Sequence, residues 1–214
     1  MNGKMKLFTG IIVFGSLWGF SECIIGPYLG DAGLPSGGIM TGFFAIMILT
    51  MSRLFYKRKG MQFGMGIVAG SLRYFNPFGG CQVCSSIAIA AEGLIFELIF
   101  DYLSELDLNQ IKSFTTKVGL GIFSACSVYV GGTITTQILT PLSDGAFYIG
   151  DLITNLPTIL ADGLLVALIG AVTVPIILEL SRYDLKLSDK LYYPTTIGIS
   201  LFCWFFVVGS WLLA

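Results

Sequence analysis

The sequence predicts an all-α protein, a polytopic membrane bundle of six to seven transmembrane helices. Its N-terminus lies in the cytoplasm, and its third helix is short and broken near Pro77. Three observations predict this. Of 214 residues, 55% are hydrophobic and only 12% charged, where a soluble domain carries about a quarter charged residues, and the mean hydropathy is +0.83. Apolar runs of about twenty residues, the length that crosses a bilayer as a helix, recur along the chain. Lys and Arg fall almost wholly on one side once those runs alternate. No soluble domain, low-complexity tract or long linker interrupts them, so 1–214 reads as a single transmembrane domain.

The runs are 7–28, 36–55, 61–75, 86–104, 118–140, 157–180 and 195–213. They are too long for barrel strands, and a helix satisfies its own backbone in lipid. The first begins after the basic stretch Met1 to Lys6. No small-residue cleavage pattern follows, so it is read as a retained span rather than a signal peptide. The second is opened by Leu34-Pro35-Ser36 and ends at Ser52-Arg53. The third is short and ends in Arg73, Asn76 and Pro77. The fourth carries Glu92, Glu97, Asp101 and Glu105; the fifth carries Gln137; the sixth opens on Leu156-Pro157-Thr158 and carries Asp162. The seventh ends near Trp211.

With the N-terminus inside, eleven of the twelve basic residues lie in the cytoplasm: Lys4, Lys6, Arg53, Lys57, Arg58, Lys59, Lys112, Lys117, Arg182, Lys186 and Lys190. Arg73 alone lies outside. This asymmetry favours seven crossings, with six kept open if the third run re-enters. Gly15/Gly19 and Gly66/Gly70, each spaced by four, allow close helix approach.

Net charge is −1, which excludes nucleic acid as an expected partner. Histidine is absent, which removes the commonest metal ligand, and no cofactor is expected.

Glu22, Glu92 and Asp162 are the costly residues, because a carboxylate in hydrocarbon faces a protein interior or a water-filled cavity. At 1.5 Å per helical residue, each lies about 8 Å from the outer end of its span. Three acids at one depth, with Gln137 and the outward Arg73, suggest one polar pocket open to the outside. The segment Arg73-Tyr74-Phe75-Asn76-Pro77-Phe78-Gly79-Gly80-Cys81-Gln82-Val83-Cys84 cannot continue a helix through Pro77 and Gly79-Gly80. It reads either as an ordinary outer loop or as irregular backbone lining a small-molecule site. The candidate solute-binding set is Glu22, Arg73, Asn76, Gln82, Glu92 and Asp162.

Cys81-x-x-Cys84 has three open readings: a redox pair, half of a metal site, or a structural pair. No second pair and no histidine complete a metal site. Glu97, Asp101 and Glu105 recur every four residues. Their like charges repel, so this stripe is expected to face water, a basic partner, or Lys112 and Lys117.

A small, N-in, wholly helical membrane protein with an outward polar pocket resembles the substrate-binding S components of energy-coupling factor transporters. The loop Leu34-Pro35-Ser36-Gly37-Gly38 is similar to the first extracellular loop that caps the ligand in that family. S components typically have six helices, against seven runs here, and the cobalt and nickel members need an N-terminal histidine that this chain lacks. The resemblance implies capture of a vitamin-like solute in the plasma membrane of a prokaryote. A separate transmembrane scaffold and ATPase subunits would supply the energy. The excess of acids over Arg73 favours a cationic solute. Two other readings stand beside it: a membrane thiol–disulfide oxidoreductase using Cys81 and Cys84, and an autonomous proton-coupled carrier using Glu92 and Glu97.

Overall fold

The computed structural model describes residues 3–76, 82–103, 108, 111–143, 149–180 and 189–213. Among them are seven helices and no strand. Helix α1 spans Gly3–Asp31. Helix α2 runs as one rod through Ser36–Ile39, a π-helical stretch Met40–Ala45, and Ile46–Tyr56. Helix α3 is Met61–Tyr74. Helix α4 is Gln82–Leu98, continued by a second π-helical stretch Ile99–Leu103. Helices α5, α6 and α7 are Phe114–Ser143, Ile149–Leu180 and Asp189–Leu213. All except α3 are long and apolar enough to cross a membrane.

Successive helices reverse direction. Gly26 of α1 faces Met40, and Gly10 faces Tyr56, so α2 runs back along α1. Helix α3 rises parallel to α1, with Gly15 against Met65 and Val68, and Gly19 against Ala69 and Leu72. Helix α4 returns antiparallel, with Gly93 against Gln62 and Ser86 against Gly70. Gly121 meets Gly170 and Gly163 meets Val130, which makes α5 and α6 an antiparallel pair. Helix α7 lies along α1: Tyr192 hydrogen-bonds Tyr56 at one end, Trp204 Nε1 donates to Ser16 Oγ at 3.1 Å, and Phe75 stacks on Trp211 at the other end. Arg53, Lys57, Lys59 and Lys117 therefore gather at one end of the bundle, as the charge pattern of seven alternating runs requires.

Helix α3 has 14 residues, about 21 Å at 1.5 Å each, short of the ~30 Å hydrocarbon core. It stops where the sequence predicts. Phe75 N–H bonds Leu72 O and Asn76 N–H bonds Arg73 O, tightening the last turn, and the residue before a proline disfavours helix. Pro77 to Cys81 lie outside the described residues. The small residues of α3 work on two sides. A Cβ on Gly15 of α1 would stand 2.6 Å from Val68 Cβ, and one on Gly66 would stand 3.0 Å from Ile89 O of α4. The glycine pairs thus serve internal packing, wedging α3 between α1 and α4 by close van der Waals contact.

The core holds Trp18, Leu49, Met61, Met65, Phe96, Phe100, Val128 and Val166. Leu164, Leu168, Phe202, Phe205 and Leu212 are exposed, an apolar belt suited to lipid.

The acidic stripe on α4 finds other partners than Lys112 and Lys117. Asp101 forms an ion pair with Arg53. Lys117 pairs instead with Glu179 at 2.8 Å. Glu97 Oε1 accepts Gly60 N–H at 2.6 Å, and its Oε2 accepts Phe63 N–H at 3.0 Å. Helix α3 has no side-chain cap of its own, so Glu97 satisfies amides that its first turn leaves orphaned. Glu105 lies outside the described residues.

Candidate functional site

A polar chamber of about 250 Å³ lies among α1, α2, α3, α4 and α5, with Glu22, Arg73, Glu92 and Gln137 in its wall. A second cavity of about 530 Å³ adjoins it, lined by Glu22, Pro27, Gly30, Asp31, Ser36 and Arg73. Glu22, Gly37, Met40 and Arg73 border both spaces. The second cavity is therefore a vestibule under the loop between α1 and α2, at the end of the bundle opposite the basic cluster.

Glu92 is the most buried of the charged residues in the chamber wall. It sits mid-way along α4 and is 8% exposed. Its Oε1 accepts the Thr41 hydroxyl of α2 at 3.2 Å, and its Oε2 is buried without a hydrogen-bond partner. Gly132 of α5 makes room for it: a Cβ there would stand 2.7 Å from both Glu92 Cγ and Oε1. Thr41 belongs to the π-helical stretch of α2. Such a stretch inserts extra backbone into a turn and recurs at functional sites.

Glu22 and Arg73 are half-buried. The Arg73 guanidinium acts on the Glu22 carboxylate electrostatically, yet its NH1 is buried and makes no hydrogen bond. Glu22 and Glu92 repel each other across the chamber. An opening of this kind, with both an unmet donor and an unmet acceptor, can hold a small polar solute or ordered water.

The structure brings Glu22, Arg73 and Glu92 together, with Gln137 beside them. It does not bring Asp162 into the wall. That residue is exposed on α6 and reaches the chamber only through Tyr129, a wall residue that interacts with both Asp162 and Thr133. Asn76 is buried and Gln82 Nε2 donates to its carbonyl at 3.1 Å. This contact ties the end of α3 to the start of α4 outside the chamber wall. The wall also holds Thr41, Tyr129, Thr133 and Thr136, which the sequence reading did not single out. Their only signal is small polar residues on spans that face the acids.

Cys84 is 2% exposed and disulfide-bonded, whereas Cys81 lies outside the described residues. Cys23, Cys126 and Cys203 are free thiols, and Cys23 is occupied in a weak contact to Leu72 O at 3.7 Å. Among the described residues no group of three or more Cys, Asp or Glu side chains is placed to hold a metal ion.

Comparison with protein families, curated proteins and solved structures finds no significant match to this chain.

Proposed function

We propose that this protein is a membrane transport component that captures a small solute in the chamber between Glu22, Arg73 and Glu92. The observation that carries the reading is the pair of unmet polar atoms, Glu92 Oε2 and Arg73 NH1, buried beside one cavity. Leaving either atom unsatisfied costs about 1–3 kcal/mol, so a bound solute that meets both relieves that cost. The vestibule supplies an entry path from the end that the charge rule places outside the cell. Asn76 and Gln82 hold the junction of α3 and α4 that fixes Arg73, and Asp162 steadies Tyr129 from behind.

In this reading the protein works as the capturing subunit of an energy-coupling factor type assembly in a prokaryotic plasma membrane. A transmembrane scaffold and ATPase subunits drive release. Such a role needs no enzyme chemistry in this chain. A purified sample screened against a vitamin panel by thermal unfolding tests capture, and uptake in cells carrying Glu22→Gln or Glu92→Gln tests transport. A silent panel with undiminished uptake in both variants would sink the proposal. Affinity capture from native membranes tests the partners, with co-purifying ATPase subunits expected.

A second reading, thiol–disulfide exchange, is supported by the disulfide at Cys84. Alkylation with and without reductant separates the two. Full function in a Cys81→Ser/Cys84→Ser variant leaves the pair structural. The carrier reading through Glu92 and Glu97 loses ground because both Glu97 oxygens already accept backbone amides.

A further inference from the structure

Among the described residues, two acids, Glu22 and Glu92, and one base, Arg73, line the chamber, so acidic side chains outnumber basic ones. The unmet atoms are of opposite kinds and stand at different depths. Glu92 Oε2, an acceptor, belongs to the inner chamber alone. Arg73 NH1, a donor, belongs to a residue that borders both chamber and vestibule. A lone metal cation answers the carboxylates and leaves Arg73 NH1 unmet. An anion answers Arg73 and adds to the repulsion between Glu22 and Glu92. A quaternary ammonium needs a cage of aromatic faces, and among the described residues Tyr129 is the one aromatic side chain in the chamber wall. The space is modest: about 250 Å³ holds roughly eight waters at ~30 Å³ each.

Building on the capture reading above, we propose that the solute is a small two-ended amine. An N–H-bearing cationic nitrogen enters first and donates to Glu92 Oε2. A hydrogen-bond acceptor at the other end accepts a hydrogen bond from Arg73 NH1 at the mouth. The nitrogen also lies between the two carboxylates and relieves their mutual repulsion, as an opposite charge does for any like-charged pair. Thr41 holds Glu92 Oε1, which leaves Oε2 as the oxygen without a partner for the incoming nitrogen to meet. Charge-assisted bonds of this type are about twice as strong as neutral ones.

The test is thermal unfolding of the full chain in lipid nanodiscs with four matched probes at millimolar concentration. They are 4-aminobutanamide, its N,N,N-trimethyl analogue, succinamate and butanamide. Stabilisation by 4-aminobutanamide alone is the expected result, with sodium chloride as the ionic control. Glu92→Gln should weaken that probe roughly tenfold or more, and Glu22→Gln should weaken it by less. Each variant's unfolding without probe reports whether it has folded. Equal stabilisation by the trimethyl analogue overturns the N–H requirement. Stabilisation by succinamate or butanamide as strong as by the amine overturns the cationic class and leaves solute capture standing. Silence from all four overturns the two-ended amine, and silence from the vitamin panel as well removes the capture reading with it.

Discussion

The carboxylate of Glu97, on α4, accepts the backbone N–H of Phe63, on α3, at 3.0 Å. A buried acid is thus spent on closing the start of a neighbouring helix. Glu97→Ala removes the carboxylate that accepts two part-buried amides, so a loss of about 1–3 kcal/mol in stability is expected. Thermal unfolding in nanodiscs measures it. Glu97→Gln should recover part of the loss, because one amide oxygen still accepts. Wild-type stability in the alanine variant contradicts the capping role.

Arg53 and Asp101 are an ion pair with side chains only 12% and 6% exposed. Removing one partner strands the other charge in a poorly solvated place, which costs about 3–5 kcal/mol. Arg53→Met and Asp101→Leu should each destabilise strongly, and the double variant should recover much of the loss. A double-mutant cycle on unfolding midpoints reads this directly, and simple additivity of the two losses argues against coupling.

Two glycines should respond differently to one added methyl. At Gly19 a Cβ would meet the backbone oxygen of Ala69 at 2.8 Å, and neither helix can yield without moving. Gly19→Ala should therefore cost about 1–3 kcal/mol. At Gly132 the obstacle is the flexible end of Glu92, so Gly132→Ala should unfold near the parent temperature while displacing that carboxylate from Thr41. Loss of solute stabilisation with retained fold is the expected signature at Gly132. The reverse pattern at the two sites is the result that contradicts it.

Thr41→Val keeps shape and removes the hydroxyl. Glu92 then has neither oxygen hydrogen-bonded among the described groups, and stability should fall by about 1–3 kcal/mol. Thr41→Ser should restore the parent value. A valine variant as stable as the parent means that the 3.2 Å contact contributes nothing measurable.

Much of the bundle was legible because few physical constraints set it. Apolar run length gave the helices, and the Lys and Arg positions gave the alternation that seven reversing helices display. Pro77 marked the end of α3. Depth along a helix can be counted from sequence, and counting placed Glu22, Glu92 and Asp162 in one layer. Azimuth cannot be counted so easily. Asp162 shares the depth, but Gly163 beside it is the residue that faces Val130 of α5. Successive residues turn about 100°, so Asp162 stands to one side of that contact and meets the wall at Tyr129 rather than lining the chamber itself. Thr41 was missed for a related reason. A π-helical stretch shifts the register of every later side chain, and apolar periodicity in a span apolar on most sides carries no trace of it. The role of Glu97 had a signal that went unread: Gly60 opens α3 without a Ser, Thr, Asp or Asn cap, so its first amides needed an acceptor from elsewhere.

The shortness of α3 also bears on how the chain is made. Its 14 residues include Gln62, Ser71 and Arg73 together with three glycines. An arginine alone disfavours release from the translocon into lipid by a few kcal/mol, and so short a segment has little apolar surface to offset it. Gly66 and Gly70 fit α3 against α4, while Gly64 meets Ile11 of α1, whose Gly15 and Gly19 receive the same side of α3. Helix α3 is therefore held in the bundle by its neighbours, α4 on one side and α1 on the other. Arg73 owes its station at the mouth of the chamber to that packing rather than to any hold of α3 on lipid.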